Sequence, residues 1–152
     1  MKINSYKYSG MIIIDHNFLV PLDYEKDSSN KISIFVREIV RIEYENKELP
    51  YLIFFQGGPG YESPRPITDS GWIRRASEEF RVLLLDQRGT GLSTPISTES
   101  LSGMNDKDMA DYLTRFRADN IVRDAEQIRE NLIGNNKWSV LGQSFGGFCA
   151  TH

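Results

Sequence analysis

Val140-Leu141-Gly142-Gln143-Ser144-Phe145-Gly146-Gly147 is the stretch on which the reading of this chain turns. It begins as a short apolar strand, passes through Gly-x-Ser-x-Gly and opens onto the start of a helix, the context of a nucleophile elbow. A serine hydroxyl attacks carbonyls poorly unless a sharp turn exposes it beside a base. Gly142 and Gly146 leave the room such a turn needs, because a Cβ at either position would crowd the backbone. Ser144 is therefore the candidate nucleophile, and Gly142, Gln143 and Gly146 form its supporting turn. Taken alone the pattern is weak, since small residues recur in many loops. Its weight comes from what precedes it.

The run Trp138 to Leu141 is the third of three continuous apolar segments. The first, Leu49 to Gln56, ends in Gly57-Gly58-Pro59-Gly60; the second, Arg81 to Asp86, ends in Gln87-Arg88-Gly89-Thr90-Gly91. Segments apolar on both faces suit central parallel strands covered by helices. Glycine-rich loops at their C-terminal ends lie where open α/β sheets place ligands. Upstream, Met11 to Pro21 and Lys31 to Ile42 read as two antiparallel strands joined by the polar stretch Asp23 to Asn30. A short helix is expected over Trp72 to Glu79. A stronger one runs from about Asp119 to Leu132, where Ile121, Val122, Ala125, Ile128 and Leu132 form one face. Asp119 or Asn120 can cap its start and Gly134 its end. Asp119 and Arg123 add an i,i+4 pair worth a few tenths of a kcal/mol. Thr94 to Asp108, rich in Ser, Thr, Asn and Asp, reads as a surface excursion. The expected class is α/β: three layers around a mostly parallel sheet with antiparallel N-terminal strands.

Composition narrows the partners. The 152 residues suffice for one modest domain, with 39% hydrophobic and 26% charged residues. A net charge of -3 and scattered Lys and Arg argue against a nucleic-acid partner. The longest apolar runs are far too short to span a bilayer, so no membrane partner is expected. The N-terminus shows no secretory signal, and the single cysteine, Cys149, fits a reducing cytoplasm. Cys149 itself reads as a small buried helix residue rather than a reactive thiol.

Gly57-Gly58-Pro59-Gly60 supplies the second half of the chemistry. Acyl transfer builds negative charge on a carbonyl oxygen, and fixed N–H donors stabilise it by roughly 3 to 4 kcal/mol each. The Gly58 N–H and the N–H of Phe145, the residue after the nucleophile, are the candidate donors, with Gly57, Pro59 and Gly60 shaping the loop. Four strings now stand in order: Gln56-Gly57-Gly58-Pro59-Gly60; Asp86-Gln87-Arg88-Gly89-Thr90-Gly91-Leu92-Ser93; Phe116 to Glu126; and Gly142-Gln143-Ser144-Phe145-Gly146-Gly147. Together they cover Pro50 to His152 and resemble the N-terminal part of the prolyl aminopeptidase (proline iminopeptidase) family, serine peptidases on the α/β-hydrolase fold. Many members carry His where this chain has Gln56. The resemblance implies removal of an N-terminal proline from peptides, by an acyl-enzyme and without metal or organic cofactor. It implies recognition of the substrate's amino group mainly by acidic residues of a cap domain absent from residues 1–152.

Other residues invite functional readings that weaken on inspection. The Asp86-Gln87-Arg88-Gly89 loop offers an acid and a base near the site, yet that turn is expected to brace the strand end against neighbouring loops. Glu62, near Arg65, is expected to be a solvated loop carboxylate. His16 is expected on the surface of an N-terminal strand, at the sheet edge opposite the site. His152 lies eight residues past Ser144, about 12 Å along a continuing helix and out of reach. In this fold the order is Ser, then Asp or Glu, then His, so both partners are expected beyond residue 152. Residues 1–152 thus read as the N-terminal portion of one domain, ending just after the elbow and inactive alone. Two alternatives stand beside the peptidase: another α/β-hydrolase acting on amides or esters, and a catalytically silent fragment serving as an interaction module.

Overall fold

The computed structural model describes residues 2–26, 30–67 and 71–152. Six strands form one sheet: β1 (Lys2–Tyr8), β2 (Met11–Pro21), β3 (Lys31–Arg41), β4 (Tyr51–Phe55), β5 (Arg81–Leu85) and β6 (Ser139–Gly142). Their spatial order is β1-β2-β3-β5-β4-β6. The first three strands form an antiparallel meander, and β3 pairs antiparallel with β5. β5, β4 and β6 then run parallel. The four helices are α1 (Gly71–Ala76), α2 (Asp106–Leu113), α3 (Ala118–Ile133) and α4 (Phe145–Thr151).

Alternation along the central strands divides the core between two faces. Ile53 and Phe55 of β4, with Leu83 and Leu85 of β5, pack toward Ile121, Ala125 and Ile128 of α3 and toward Cys149. Phe54, Val82 and Leu84 point the other way, against Ile73 and Trp72 of α1. Each fully buried Ile, Leu, Val or Phe among them contributes about 1.5 to 3 kcal/mol relative to exposure. This two-sided burial is why those strands read as continuous apolar runs. β6 differs: Val140 and Leu141 remain 44% and 39% exposed, because among the described residues β6 pairs on one side only, with β4.

Several elements depart from the sequence expectation. β1 was not anticipated; its polar residues pair with β2 through the backbone. The first helix ends at Ala76 rather than Glu79. Part of the expected excursion 94–108 opens α2, whose cap is Asn105, its Oδ1 accepting the Asp108 N–H at 2.9 Å. α2 buries no residue fully; its Met109, Tyr112 and Leu113 form a narrow, partly exposed face continued by Phe116, on whose ring Tyr112 packs with centroids 5.0 Å apart. α3 begins after Arg117 without a side-chain cap; Asn120 instead donates back to the Arg115 carbonyl at 3.1 Å. Arg123 reaches Glu25 at 2.5 Å rather than forming the expected pair with Asp119. Gly134 ends α3 as expected, its N–H donating to the Glu130 carbonyl at 3.0 Å. Among the described residues no helix is long and apolar enough to cross a membrane.

Candidate active site

β4 and β6 are parallel neighbours in a register that sets Phe55 beside Gly142. The loops leaving both strands therefore start at the same level. The Gly57–Gly60 segment and the 143–146 turn lie side by side for this reason.

Ser144 occupies that turn with φ 54° and ψ -119°, a conformation L-residues rarely adopt. Such a residue costs on the order of 1 to 3 kcal/mol and persists only where its surroundings hold it. Here the Gln143 N–H donates to the Phe55 carbonyl at 3.2 Å, and the Gly146 N–H closes the turn on the Gln143 carbonyl at 2.9 Å. The Phe148 N–H donates to the Ser144 carbonyl at 3.2 Å. A Cβ on Gly146 would land on the Phe55 carbonyl, and one on Gly142 on the Gly146 carbonyl. A Cβ on Gly57 would lie 3.2 Å from the Ser144 Cβ and 2.9 Å from the Gln143 carbonyl oxygen. The glycines let two loops touch backbone to backbone.

Ser144 is exposed, and among the described residues its hydroxyl has no hydrogen-bond partner. Phe145 is the first residue of α4, so its N–H has no acceptor one turn back. Gly57 is buried, whereas Gly58, Pro59 and Gly60 are exposed at the mouth. The geometry thus gathers Ser144, Phe145 and Gly57 to Gly60 at one sheet end. Pro59, Phe145 and Phe148 also border a cavity of about 600 Å³ that reaches Phe116 and Asp119 at the start of α3.

His152 and Asp119 line that same cavity, but among the described residues no base hydrogen-bonds the Ser144 hydroxyl. His152 ends the chain beyond α4 with its ring stacked on Phe148, centroids 5.9 Å apart. His16 lies in β2, separated from β6 by β3, β5 and β4. The expectation that it is a surface residue fails: it is 7% exposed, with Nε2 2.7 Å from Glu38 Oε2. Arg81 donates to the other oxygen of Glu38 at 2.5 Å. Burial alone would raise the Glu38 carboxyl, but the His16 hydrogen bond and Arg81 bring it below its ordinary value. Neighbouring acids are likewise occupied. Asp86, fully buried, accepts from the Ser63 and Leu92 N–H groups at 3.0 and 2.8 Å and from both terminal nitrogens of Arg65. Glu62 stays exposed beside Arg65, 3.3 Å away, as the sequence suggested.

Arg88 is the brace of this end of the sheet. Its guanidinium donates to both Asp124 oxygens at 2.7 and 2.6 Å, and to the carbonyls of Leu22, Pro21 and Arg115. Tyr24 donates to Asp124 at 2.8 Å; burial, with that carboxylate beside it, holds the Tyr24 hydroxyl well above the usual range. Burial also pushes the Cys149 thiol up, which favours its protonated form. Sequence reasoning missed the Asp124 partner, although an aspartate between Ile121, Ala125 and Ile128 on an apolar face signals a buried charge needing one. It also missed the Gln87 amide, which donates to the Gln56 carbonyl at 3.0 Å. Among the described residues no group of three or more His, Cys, Asp or Glu is placed to hold a metal ion.

Comparison with known proteins agrees with this arrangement. The family pattern described as the alpha/beta hydrolase fold matches residues 50–152. Over 95% of its length the chain is 54% identical to a proline iminopeptidase of Aeromonas sobria, covering 34% of that protein. It is 43% identical, over 88% of its length, to a proline iminopeptidase of Aspergillus aculeatus, covering 31% of it. The chain therefore spans about a third of the length of these curated relatives. A hydrolase from Pseudomonas aeruginosa superposes with a TM-score of 0.52 over 88% of this chain and 38% of its own, at 16% identity, a likeness of fold alone. On the strength of the matched pattern and of a sheet, elbow and loop that fit it, the chain belongs to the α/β hydrolase fold family.

Proposed function

We propose that residues 1–152 carry the nucleophile and oxyanion-binding half of a serine peptidase that releases N-terminal proline from peptides. The observation that carries this reading is Ser144 at positive φ, packed against Gly57 of Gly-Gly-Pro-Gly, in a chain 54% identical to a proline iminopeptidase. The Ser144 Oγ attacks the prolyl carbonyl carbon, and the tetrahedral oxyanion accepts from the Gly58 and Phe145 N–H groups. Collapse breaks the C–N bond, expels the next residue's amine with the proton taken from Ser144, and leaves a prolyl ester. Water then hydrolyses the ester. The proton carrier comes from outside these 152 residues, since His16 lies across the sheet in β2 and His152, eight residues past Ser144 and stacked on Phe148, makes no hydrogen bond to the serine. The cavity bordered by Pro59, Phe116, Phe145 and Phe148 offers an apolar wall suited to a pyrrolidine ring.

The test joins residues 1–152 to the remaining two-thirds of the Aeromonas sobria relative. This chimera should hydrolyse a proline arylamide, whereas the 152-residue chain alone should not. Ser144→Ala in the chimera should lower turnover at least about 10³-fold with the fold intact. A folded but inactive chimera, or a Ser144→Ala chimera that keeps its turnover, overturns the reading.

A further inference from the structure

Gln87 follows β5 in the turn whose neighbours, Asp86 and Arg88, are committed to ion pairs that hold the fold. Gln87 makes none. Its side chain is buried, with the residue only 2% exposed, and its Nε2 donates to the Gln56 main-chain carbonyl at 3.0 Å. That carbonyl is the last before Gly57-Gly58. Gly146 also lies close to it: a Cβ there would come within 2.8 Å of the same oxygen. The contact uses the main chain of residue 56, so it does not depend on which side chain stands there.

We propose that Gln87 is a positioning residue for the oxyanion hole, fixing the Gln56–Gly57 peptide and so aiming the Gly58 N–H. The inference rests on the serine peptidase reading above. Two backbone dihedrals, both of Gly57, separate the held peptide plane from the Gly58 nitrogen. Glycine rotates about both more freely than any other residue. A loop with two glycines in succession therefore needs an anchor immediately before them. Gln87 is suited to this task because its amide donates without carrying charge. A glutamate there, when ionised, would lose the donor and set a negative charge near the oxygen where negative charge develops.

The test uses the chimera described above. Gln87→Ala should lower kcat by about 10- to 100-fold, a part of the ~10²- to 10³-fold that loss of a whole donor costs. KM should stay within about twofold, because the ground-state carbonyl needs the donor less than the oxyanion does. Affinity for prolinal, an aldehyde that forms a hemiacetal with a serine, should fall in step with kcat. Gln87→Glu should be at least as impaired at neutral pH, and its activity relative to the parent should rise as pH falls and the carboxyl regains a donor proton. A crystal structure of Gln87→Ala should show the Gly58 nitrogen displaced. Parent-like kcat in a folded Gln87→Ala, a loss confined to KM, or an unmoved 56–58 backbone overturns the proposal. If Gln87→Ala behaves normally while Ser144→Ala is dead, only the positioning role fails; an active Ser144→Ala sinks the serine reading itself.

Discussion

Ser144 and the glycines around it show two separate reasons for a small residue. Gly146 lies in the first turn of α4, where any residue's φ would serve; it is glycine because the Phe55 carbonyl occupies the place of its side chain. Gly10 is the opposite case, with φ 78° and nothing within 4 Å of where its Cβ would stand. Gly146→Ala should therefore cost stability at or above the upper end of the ~1 to 3 kcal/mol typical of overpacking. Gly10→Ala should cost roughly 1 to 2 kcal/mol, the penalty of a left-handed backbone alone. Urea denaturation of the dilute chain measures both, and equal losses would refute the distinction. The pattern Gly-x-Ser-x-Gly announced that position 146 must be small. It could not announce why, since the obstructing carbonyl lies 91 positions upstream in the sequence, at Phe55. His16 was misjudged for the same reason: its burial depends on Glu38 across the strand pair, which no local pattern encodes.

Elements were legible in proportion to the apolar surface they bury. β2, β3, β4, β5 and α3 carry the core of the molecule, and their apolar runs or periodicity named them. β1 is held by backbone pairing, which leaves little hydrophobic trace, and α2 by a cap and a short, half-exposed face of Met109 and Tyr112 inside a polar stretch. Between these extremes stands the Arg88–Asp124 pair, where a polar contact fixes α3 against the loops after β2 and β5. Replacing Arg88 by Met leaves Asp124 buried without its partner, and should cost about 3 to 5 kcal/mol. In an isolated buried pair, replacing both partners by apolar residues often restores the loss. Here it should restore only part, because Arg88 also donates to the carbonyls of Pro21, Leu22 and Arg115; the Arg115 carbonyl keeps the Asn120 amide, but the other two lose the guanidinium. Denaturant titration of the two single variants and the Arg88→Met/Asp124→Leu double variant tests this. Full recovery in the double variant would show the carbonyl contacts to be dispensable.

At the scale of the whole molecule the two edges of the sheet are unlike. β1 presents Asn4, Ser5, Tyr6 and Lys7, all exposed, and Lys7 pairs with Glu45 at 3.5 Å. Such a polar, lysine-bearing strand discourages pairing with other chains. β6 presents Val140 and Leu141 beside an open row of backbone donors and acceptors, and Phe148 of α4 adds a 57% exposed ring nearby. An apolar edge of this kind is a template for strand addition. Within residues 1–152 the strand that delivers Ser144 is thus also the least protected part of the sheet. The purified 152-residue chain should accordingly self-associate at micromolar concentrations. Val140→Lys should shift it toward monomer by placing a charge on the edge, with little effect on the parallel register of β4 and β6, which rests on backbone bonds. Size-exclusion chromatography with light scattering reads both species directly. A parent chain that is monomeric throughout would mean that the exposed edge is protected by some means other than its residues. A Val140→Lys chain as associated as the parent would place the contact elsewhere, with the Phe148 face of α4 the next surface to alter.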